Sequence, residues 1–338
     1  MISNICHLIA SREHGGLEKH VADLSRWQAH NTDAQVSVIA HPRYLQTLDE
    51  KVQFIPLNTD RSRHHPNLVW RLANYIRKGE YQITHGHGSK SAQLLAAVKP
   101  YTESLQVITR HNVRHPRDKL ASNFDARIAI SEGTVANSKL DWNIIPNGVE
   151  LRAAAASSTV VDGSAENQPV LLVTGRLIKG RGVDCLLAAL ADLPRVQLVI
   201  LGDGPEKNTL QKQAQTLGIS QRVSFFSATN ALAEFLQAAD LVVIPALGEG
   251  APYTLIESLL HRRPVLSTPA GNAVEYLPQR YILEDPTAQG LAQKIAWILD
   301  NRQQMERDFA PLYQRASDEL TLDSMARATW QVYTQLIA

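Results

Sequence analysis

Cations and glycines are concentrated in one eight-residue segment of this 338-residue chain, GRLIKGRG at 175–182. It contains Arg176, Lys179 and Arg181 and follows an apolar run at 170–174. Arginine binds phosphate oxygens through two parallel N–H donors, and glycine lets a ligand approach the backbone closely. The segment therefore predicts a phosphate-binding loop. The alternative is a solvated loop with surface cations.

Two glutamates lie close to the start of a predicted helix in the second half of the chain. Pro252 suits the first helical position, so Glu249 falls in the preceding loop and Glu257 over one turn inside the helix. Such a pair fits a ligand bound at a helix N-terminus. Two carboxylates alone also fit a glycosidase, and Glu257 also fits an ordinary surface charge.

Histidine is concentrated in the first half, where eleven of the twelve histidines precede residue 150. Two apolar runs are followed by HGHG at 85–88 and TRHN at 109–112. No carboxylate or cysteine set with metal-ligand spacing accompanies the HxH pair, so we expect no metal there. We interpret these histidines as polar groups lining a cleft. A glycine pair at 15–16 opens a helix, which favours an anion or simply makes a tight turn.

Short runs of Val, Ile and Leu alternate with amphipathic helical segments through both halves. Continuous apolar runs indicate buried parallel strands, so we predict two doubly wound α/β domains. Ligands bind such sheets at the carboxyl ends of the strands, where the loops above lie. The predicted domains are 1–150 and 167–318, with an Ala/Ser-rich linker at 151–166 and a final helix at 319–338. The predicted strands are 4–10, 35–40, 82–85, 106–109, 127–130, 143–145, 170–174, 196–201, 223–226, 241–244 and 264–267.

Composition and charge exclude several classes of protein. A chain with 44% hydrophobic and 20% charged residues is globular rather than disordered. The net charge of +1 argues against nucleic acid as a partner. Two cysteines far apart in sequence form neither a disulfide framework nor a zinc set. No apolar run reaches the roughly 18–20 residues of a membrane span, and the N-terminus lacks a basic signal-peptide region, so we expect a cytoplasmic protein.

Short motifs occur in a fixed order along nearly the whole chain. They are GGLE at 15–18, HGH at 85–87, TRH at 109–111, AIS at 129–131, IPNGV at 145–149, GRL at 175–177, GDGP at 202–205, AD at 239–240, E-x7-E at 249–257, RPV at 263–265 and the segment 271–275. In this order they resemble the retaining glycosyltransferases of family 4. The resemblance implies the α/β GT-B fold, in which two Rossmann-like domains face each other across a cleft and a C-terminal helix returns to the first domain.

The resemblance also implies roles for individual residues. Arg176 and Arg181 would clamp a nucleoside diphosphate, with Arg181 standing where the family usually has lysine. His111 matches the histidine that faces the donor sugar, Glu249 would lie near that sugar, and Glu257 would bind the ribose hydroxyls. The implied donor-binding residues are Gly16, Gly175, Gly202, Gly250, Ala251, Pro252, Tyr253 and Glu257. Pro252 departs from the family's frequent glycine and removes one N–H donor.

The implied reaction moves a sugar from a nucleoside diphosphate sugar to an acceptor hydroxyl with retained configuration. Its transition state resembles an oxocarbenium ion, while negative charge grows on the leaving phosphate. The two arginines and a helix N-terminus would stabilise that charge. Because the chain contains no DxD sequence, we predict no metal and no cofactor besides the nucleotide sugar as co-substrate. Uridine, guanosine and adenosine nucleotides all fit these motifs.

Two alternatives share the donor site. A GT-B nucleotide-sugar 2-epimerase needs no acceptor, and a non-catalytic GT-B binding subunit would have kept only the fold. The asymmetric, histidine-rich first half favours a transferase over the epimerase, and Arg176, Glu249 and Glu257 argue against the binding subunit. The net charge of +4 in residues 1–150, against −3 in 151–338, predicts an anionic glycan or glycolipid acceptor on the first domain. Such an acceptor fits bacterial cell-envelope synthesis and a peripheral contact with the anionic inner face of the inner membrane. An ordinary solvated face is the alternative. The basic residues concerned are Arg61, Arg63, Arg71, Arg110, Arg114, Arg117 and Lys119.

Overall fold

The computed structural model describes residues 2–11, 15–112, 118–151, 168–227, 231–246, 253–269 and 271–338. Its internal contacts divide the chain into two compact units. Unit 1 comprises Met1–Gly148 and Glu319–Ala338, and unit 2 comprises Val149–Asp318. Most of the predicted linker, 152–166, lies outside the described residues.

The N-terminal part of unit 1 contains seven strands and four helices within the described residues. The strands are β1 (Asn4–Ile9), β2 (Gln35–Ala40), β3 (Gln53–Pro56), β4 (Ile83–His87), β5 (Leu105–Arg110), β6 (Ala126–Ala129) and β7 (Asn143–Ile144). The helices are α1 (Gly16–Asn31), α2 (Pro66–Gly79), α3 (Gly88–Val98) and α4 (Asp118–Ala121). The strands pair in parallel in the order β3-β2-β1-β4-β5-β6-β7.

Unit 2 contains five strands and seven helices within the described residues. The strands are β8 (Val170–Thr174), β9 (Gln197–Leu201), β10 (Val223–Phe226), β11 (Leu241–Ile244) and β12 (Val265–Ser267). The helices are α5 (Val183–Ala191), α6 (Lys207–Thr216), α7 (Leu232–Ala238), α8 (Tyr253–Leu260), α9 (Ala273–Tyr276), α10 (Ala288–Asp300) and α11 (Arg302–Glu319). These strands are also parallel, in the order β10-β9-β8-β11-β12. Two parallel sheets with helices confirm the predicted α/β class.

The last helix, α12 (Leu322–Ile337), belongs to unit 1. Its buried face includes Met325 and Tyr333, which join Val21 and Leu24 of α1 in one apolar core. Asp323 anchors the start of the helix by accepting a hydrogen bond from Nε1 of Trp27 at 3.0 Å. The C-terminal segment therefore completes one face of the unit 1 sheet.

Strand β1 shows why strands of the unit 1 sheet appear in the sequence as continuous apolar segments. Ile5 and Ile9 face the core formed with α1 and α12, while Cys6 and Leu8 face the opposite core, formed with α2 and α3. Because helices cover both faces, both sets of alternating residues are buried. Any polar residue on such a strand must find its hydrogen bonds inside the protein.

Two sequence predictions about strands are corrected. Strand β3 lacks an apolar run of its own and was not predicted. Strand β4 continues through Gly86 and His87, whereas the sequence placed both after the strand end. None of the helices among the described residues combines the length and apolar character needed to cross a bilayer.

Candidate functional site

Each sheet has one point at which its strand order reverses. In unit 1 this point lies between β1 and β4, and in unit 2 it lies between β8 and β11. Ligands of doubly wound sheets bind outside the carboxyl ends of the strands at such a point. In unit 2 the described candidate residues follow β8 and β9 or lie on α8, and in unit 1 they lie at the start of α1 and on or just after β4 and β5.

The predicted phosphate loop of unit 2 begins directly after β8. Gly175, with a φ of +132°, donates its N–H to the carbonyl of Leu201 at 3.0 Å. Leu177 is buried and donates its N–H to the carbonyl of Asp203 at 2.9 Å. Arg176 is exposed and Arg181 is half-buried. Backbone bonds to the neighbouring loop therefore hold the segment that carries both arginines.

Two glycines allow the loops at this edge to approach one another. A Cβ on Gly202 would lie 1.9 Å from the carbonyl oxygen of Gly175, so the loops after β8 and β9 touch through their backbones. Gly182 has a φ of +72°, and a Cβ there would lie 2.2 Å from the carbonyl oxygen of Pro245. A larger residue at either position would displace backbone. The arginine loop is therefore built into a close-packed frame.

Helix α8 reaches the same edge of the sheet. The hydroxyls of Thr174, at the end of β8, and Thr254, in the first turn of α8, are 2.8 Å apart. Glu257 lies three residues after Thr254 and so on the same face of the helix, where it is half-buried, as is Tyr253. The structure thus brings Glu257 and the arginine loop to one sheet edge. Four predicted residues lie outside the described residues: Glu249, Gly250, Ala251 and Pro252.

In unit 1, five histidines converge at the reversal point. His7 on β1 pairs in register with His85 on β4, and His87 ends that strand. His20 comes from α1, and His111 follows β5. His7, His85 and His87 are each at most 1% exposed, so the prediction that the HxH pair lines a cleft is wrong for both of its members.

Hydrogen bonds connect three of these rings in a line. Nε2 of His7 lies 2.7 Å from Oε1 of Gln28, and Nδ1 of His7 lies 3.0 Å from Nε2 of His87. Nδ1 of His87 then lies 3.4 Å from Nε2 of His111. Gln28 is on α1, two turns after His20 on the same helix face. The line thus runs from buried Gln28 to half-buried His111.

The other two histidines have their own partners. Nδ1 of His85 lies 2.5 Å from the Tyr333 hydroxyl, and Nε2 of His85 lies 2.7 Å from the Thr109 hydroxyl. Nδ1 of His20 lies 3.1 Å from Oδ1 of Asn147. The ring of His20 meets that of His111 edge-on, with 4.7 Å between their centroids. Helix α12 therefore supports the cluster directly, through Tyr333.

Burial keeps these imidazoles neutral. It lowers the pKa of His7 and of His20 to about 4, because a buried cation loses its hydration. Burial, reinforced by the neighbouring histidines, also holds the pKa values of His85, His87 and His111 well below the usual range. The cluster thus offers uncharged donors and acceptors at neutral pH.

Within the part of the chain that the structure describes, two sets of three histidines come close enough to hold a metal ion. The sets are His7, His85 and His87, and His20, His87 and His111, with ligand nitrogens within 4.8 Å of one another in each. Neither set includes a carboxylate or a thiolate that would offset the charge of a buried divalent ion. The absence of a bound metal therefore stays a prediction.

A cavity of about 500 Å³ in unit 1 reaches His111. Its apolar wall includes Ile108, Leu120 and Trp142, and Asp60, the one carboxylate among the described residues that line it, is paired with Arg43. Two of its cations contact imidazoles, since Arg61 lies 3.4 Å from His65 and Arg63 donates to His64 at 3.1 Å. The cations that line the cavity are Arg61, Arg63, Lys90 and Arg110.

The N-terminus of α1 carries the predicted donor contact Gly16, which is exposed. One N–H of this turn is already in use, because Gly15 donates to a carboxylate oxygen of Glu18 at 2.9 Å. Ser11 donates its hydroxyl to the same carboxylate. An anion approaching this helix would therefore meet a buried glutamate.

The sequence did not single out four members of the histidine cluster and its support. His7 and Tyr333 lie among apolar residues of β1 and α12, and His20 and Gln28 lie on the buried face of α1, so none of them has a sequence neighbour that indicates its partner. The combination of three features could have predicted the cluster. These are a histidine on the first strand, HxH on the fourth, and His20 and Gln28 eight residues apart on α1.

Comparisons with known proteins agree with this geometry. The Glycosyltransferase Family 4 model matches residues 14–153, and the Glycosyl transferases group 1 model matches residues 158–311. The lipopolysaccharide core biosynthesis glycosyltransferase LpsE of Rhizobium meliloti (strain 1021) is 30% identical over 190 residues, 55% of this chain and 54% of that protein. The lipopolysaccharide glucosyltransferase WaaG of Escherichia coli (strain K12) is 30% identical over 182 residues, 47% and 48% of the two chains. The matches thus span about half the length of these curated relatives.

A solved structure shares the whole fold. HepE of Anabaena, in complex with UDP-glucose, superimposes with a TM-score of 0.82 at 19% identity, over 98% of this chain and 99% of that one. The fold is therefore GT-B. Since the two family models together take in most of the sequence, the chain belongs to the family 4 glycosyltransferases, with a group 1 region in its second half.

Proposed function

We propose that the protein transfers a sugar from a nucleoside diphosphate sugar to an acceptor hydroxyl, with retained configuration and without a metal. The observation that carries this proposal is the pair Arg176 and Arg181 on the glycine-built loop after β8. Two cations in a close-packed backbone frame, at the reversal point of a parallel sheet, fit a diphosphate better than any other common ligand.

In this reaction the bond between the anomeric carbon and the diphosphate breaks. Arg176 and Arg181 stabilise the negative charge that grows on the leaving group, and Glu257 binds the ribose hydroxyls. The acceptor oxygen attacks from the face that the diphosphate leaves, and its proton passes to the departing phosphate. Glu249 and the backbone at Gly250 and Ala251 complete the donor site, and His111 contacts a sugar hydroxyl.

The comparisons support a uridine nucleotide as the first donor to try. The crystal structure of HepE, which shares the fold, is of its complex with UDP-glucose. The names of LpsE and WaaG place both in lipopolysaccharide synthesis. We therefore propose a cytoplasmic role in the synthesis of a bacterial envelope glycan.

The cavity of unit 1 is the proposed acceptor site. Among the described residues that line it, four are cationic and one is a carboxylate, which favours a phosphorylated or carboxylated acceptor. The aromatic wall at Trp142 fits a sugar ring. An acceptor carried by a lipid would bring the same face to an anionic membrane surface.

A donor screen tests the transfer. The protein is incubated with UDP-, GDP- and ADP-sugars, and the released nucleoside diphosphate is measured with and without a glycan acceptor. One donor should give release that the acceptor accelerates, with an α-linked product from an α-linked donor. Conversion of the donor into its 2-epimer without acceptor would indicate an epimerase. Binding without any turnover would indicate a binding subunit.

The charge of the acceptor is tested separately. Replacing both Arg61 and Arg63 by Gln should raise the acceptor KM about tenfold at low salt, because such contacts are screened over about 10 Å at 0.1 M salt. Arg77→Gln, an exposed change in the last turn of α2, is the control. Flotation with anionic and neutral vesicles tests membrane contact. No vesicle binding and an acceptor KM insensitive to salt would mean a neutral, soluble acceptor.

A further inference from the structure

The line of hydrogen bonds from Gln28 to His111 has a direction. A neutral imidazole has one N–H and one lone pair, so a proton placed at one end of the line fixes every proton along it. The links join Gln28 to His7, His7 to His87 and His87 to His111. The last link, at 3.4 Å, is the longest.

Gln28 sets that direction. Its Oε1 only accepts, so His7 carries its proton on Nε2, and Nδ1 of His7 accepts from Nε2 of His87. Nδ1 of His87 is then a lone pair, which accepts the Nε2 proton of His111. Within the described residues, Nδ1 of His111 has no hydrogen-bond partner.

The amide of Gln28 faces His7 through its oxygen, since Oε1 is the atom that lies 2.7 Å from Nε2 of His7. The amide nitrogen is buried and has no hydrogen-bond partner among the described residues. Oε1 is therefore the atom that fixes the proton of His7 on Nε2.

We propose that Gln28 and His7, acting through His87, hold His111 as its Nε2–H tautomer and so present the Nδ1 lone pair to a sugar hydroxyl in the cavity. Gln28, His7 and His87 are positioning residues for His111. The role of this lone pair in catalysis rests on the proposed function, whereas the tautomer is a property of the protein without substrate.

A metal ion would require the opposite arrangement. His111 approaches His87 through Nε2, so an ion bound between these two rings would take the lone pair of His111 at that nitrogen. The proton of His111 would then lie on Nδ1. The tautomer of His111 therefore separates a hydrogen-bonding cluster from a metal site.

The test is nitrogen NMR of the full chain labelled with 15N-histidine and stripped of metal, with His111 assigned from its loss in His111→Asn. The wild type should show His111 protonated on Nε2. Gln28→Met removes the terminal acceptor at similar volume and should give a mixture of tautomers. Gln106→Met is the matched control, since Gln106 is also a buried glutamine of unit 1 but lies on β5 and donates to Leu95.

Kinetics supply a second readout. In Gln28→Met, kcat should fall about tenfold while the donor KM is unchanged, as for other groups that orient a functional imidazole. Gln106→Met should stay within about twofold of wild type. A wild-type His111 protonated on Nδ1, or an unchanged tautomer in Gln28→Met, would overturn the proposal. The wild-type spectrum decides the matter even if Gln28→Met does not fold. Absence of transfer with every donor would refute the proposed function and leave the spectra readable.

Discussion

Unit 1 and unit 2 reverse their strand order at equivalent points, between β1 and β4 and between β8 and β11. Unit 1 carries imidazoles there, two of them, His7 and His85, paired across neighbouring strands. Unit 2 carries glycines and arginines there, in the loop that follows β8. The imidazoles are mostly buried and neutral, whereas Arg176 is charged and exposed.

The difference shows what each location permits. A side chain on a central strand of a sheet covered on both faces is cut off from water, so a polar group there must be neutral and hydrogen-bonded. A loop at the strand end keeps its charges hydrated until a ligand arrives. The same topology therefore supports a fixed hydrogen-bonding cluster in unit 1 and, in unit 2, the proposed binding site for a charged ligand.

The largest effect should follow the loss of the unit 2 cations. Arg176→Ala and Arg181→Ala should each lower turnover by about 10²–10³, as for the loss of one donor to a developing anion. The measurement is the rate of donor cleavage at saturating acceptor. Arg181→Lys should retain substantial activity, because it keeps the charge.

Arg195→Ala provides the matched control for these changes. Arg195 is an exposed arginine of the same unit that precedes β9, at the amino end of the strand. Its loss should leave turnover within about twofold of wild type. Near wild-type rates in both loop variants would refute the diphosphate clamp.

Acid should destabilise unit 1 first. The pKa values of His7 and His20 fall from 6.5 in the unfolded chain to about 4 in the fold, so the unfolded state binds more protons at pH 5. Stability is thus complete above about pH 6.5 and is lost as the pH falls toward 4. The loss at pH 5 should be about 2 kcal/mol for each of these two histidines. Unit 2 contains one histidine, His261.

Urea unfolding at pH 7.5 and pH 5 measures this loss. His7→Gln should be less stable at pH 7.5 but should lose less on acidification. His64→Gln, at an exposed position, should follow the wild-type curve. Equal acid sensitivity in the wild type and His7→Gln would contradict the assignment of a buried neutral His7.

The close packing of the unit 2 loops predicts a smaller effect on stability. Gly182→Ala combines a positive φ with a Cβ 2.2 Å from the Pro245 carbonyl oxygen, and should cost about 2–3 kcal/mol in unfolding free energy. Gly180→Ala has a φ of +81° but no atom within 4 Å of the new Cβ, and should cost only about 1 kcal/mol. Equal losses in the two variants would mean that the loops have room to separate.

Removal of metal should have the smallest effect. If two arginines suffice to neutralise the diphosphate and the histidine cluster binds no ion, exhaustive EDTA treatment leaves turnover unchanged. A loss of activity that magnesium or manganese restores would place a metal in unit 2. A loss that only zinc restores would point to the histidines of unit 1.

Residue patterns predicted most of the fold but only part of the site. β2 and β8 were predicted to the residue, because Val, Ile and Leu dominate them. β3 was missed because it has only two apolar residues before its terminal proline. β4 was cut short because Gly86 and His87 are typical of loops, and only pairing with β1 shows that they belong to a buried strand.

The two sites also differ in how far apart their residues lie in the sequence. The arginines of unit 2 lie within one segment, so their spacing along the chain already indicated a shared ligand. The histidine cluster joins residues from β1, α1, β4 and α12, which are up to 326 residues apart between His7 and Tyr333. No local pattern records such a contact. It follows from strand order and register, which the sequence alone did not supply.

Hydrogen–deuterium exchange of the full chain tests the division between the units most directly. It is measured with and without whichever of UDP, GDP and ADP gives the largest thermal stabilisation. Protection should centre on peptides that cover 174–182, 201–206 and 253–260, because the diphosphate contacts the β8 loop and the nucleoside contacts α8. This protection by the nucleotide should be lost in Arg176→Ala. Protection centred instead on 83–88 and 105–111 of unit 1, with none in those unit 2 peptides, would contradict the account.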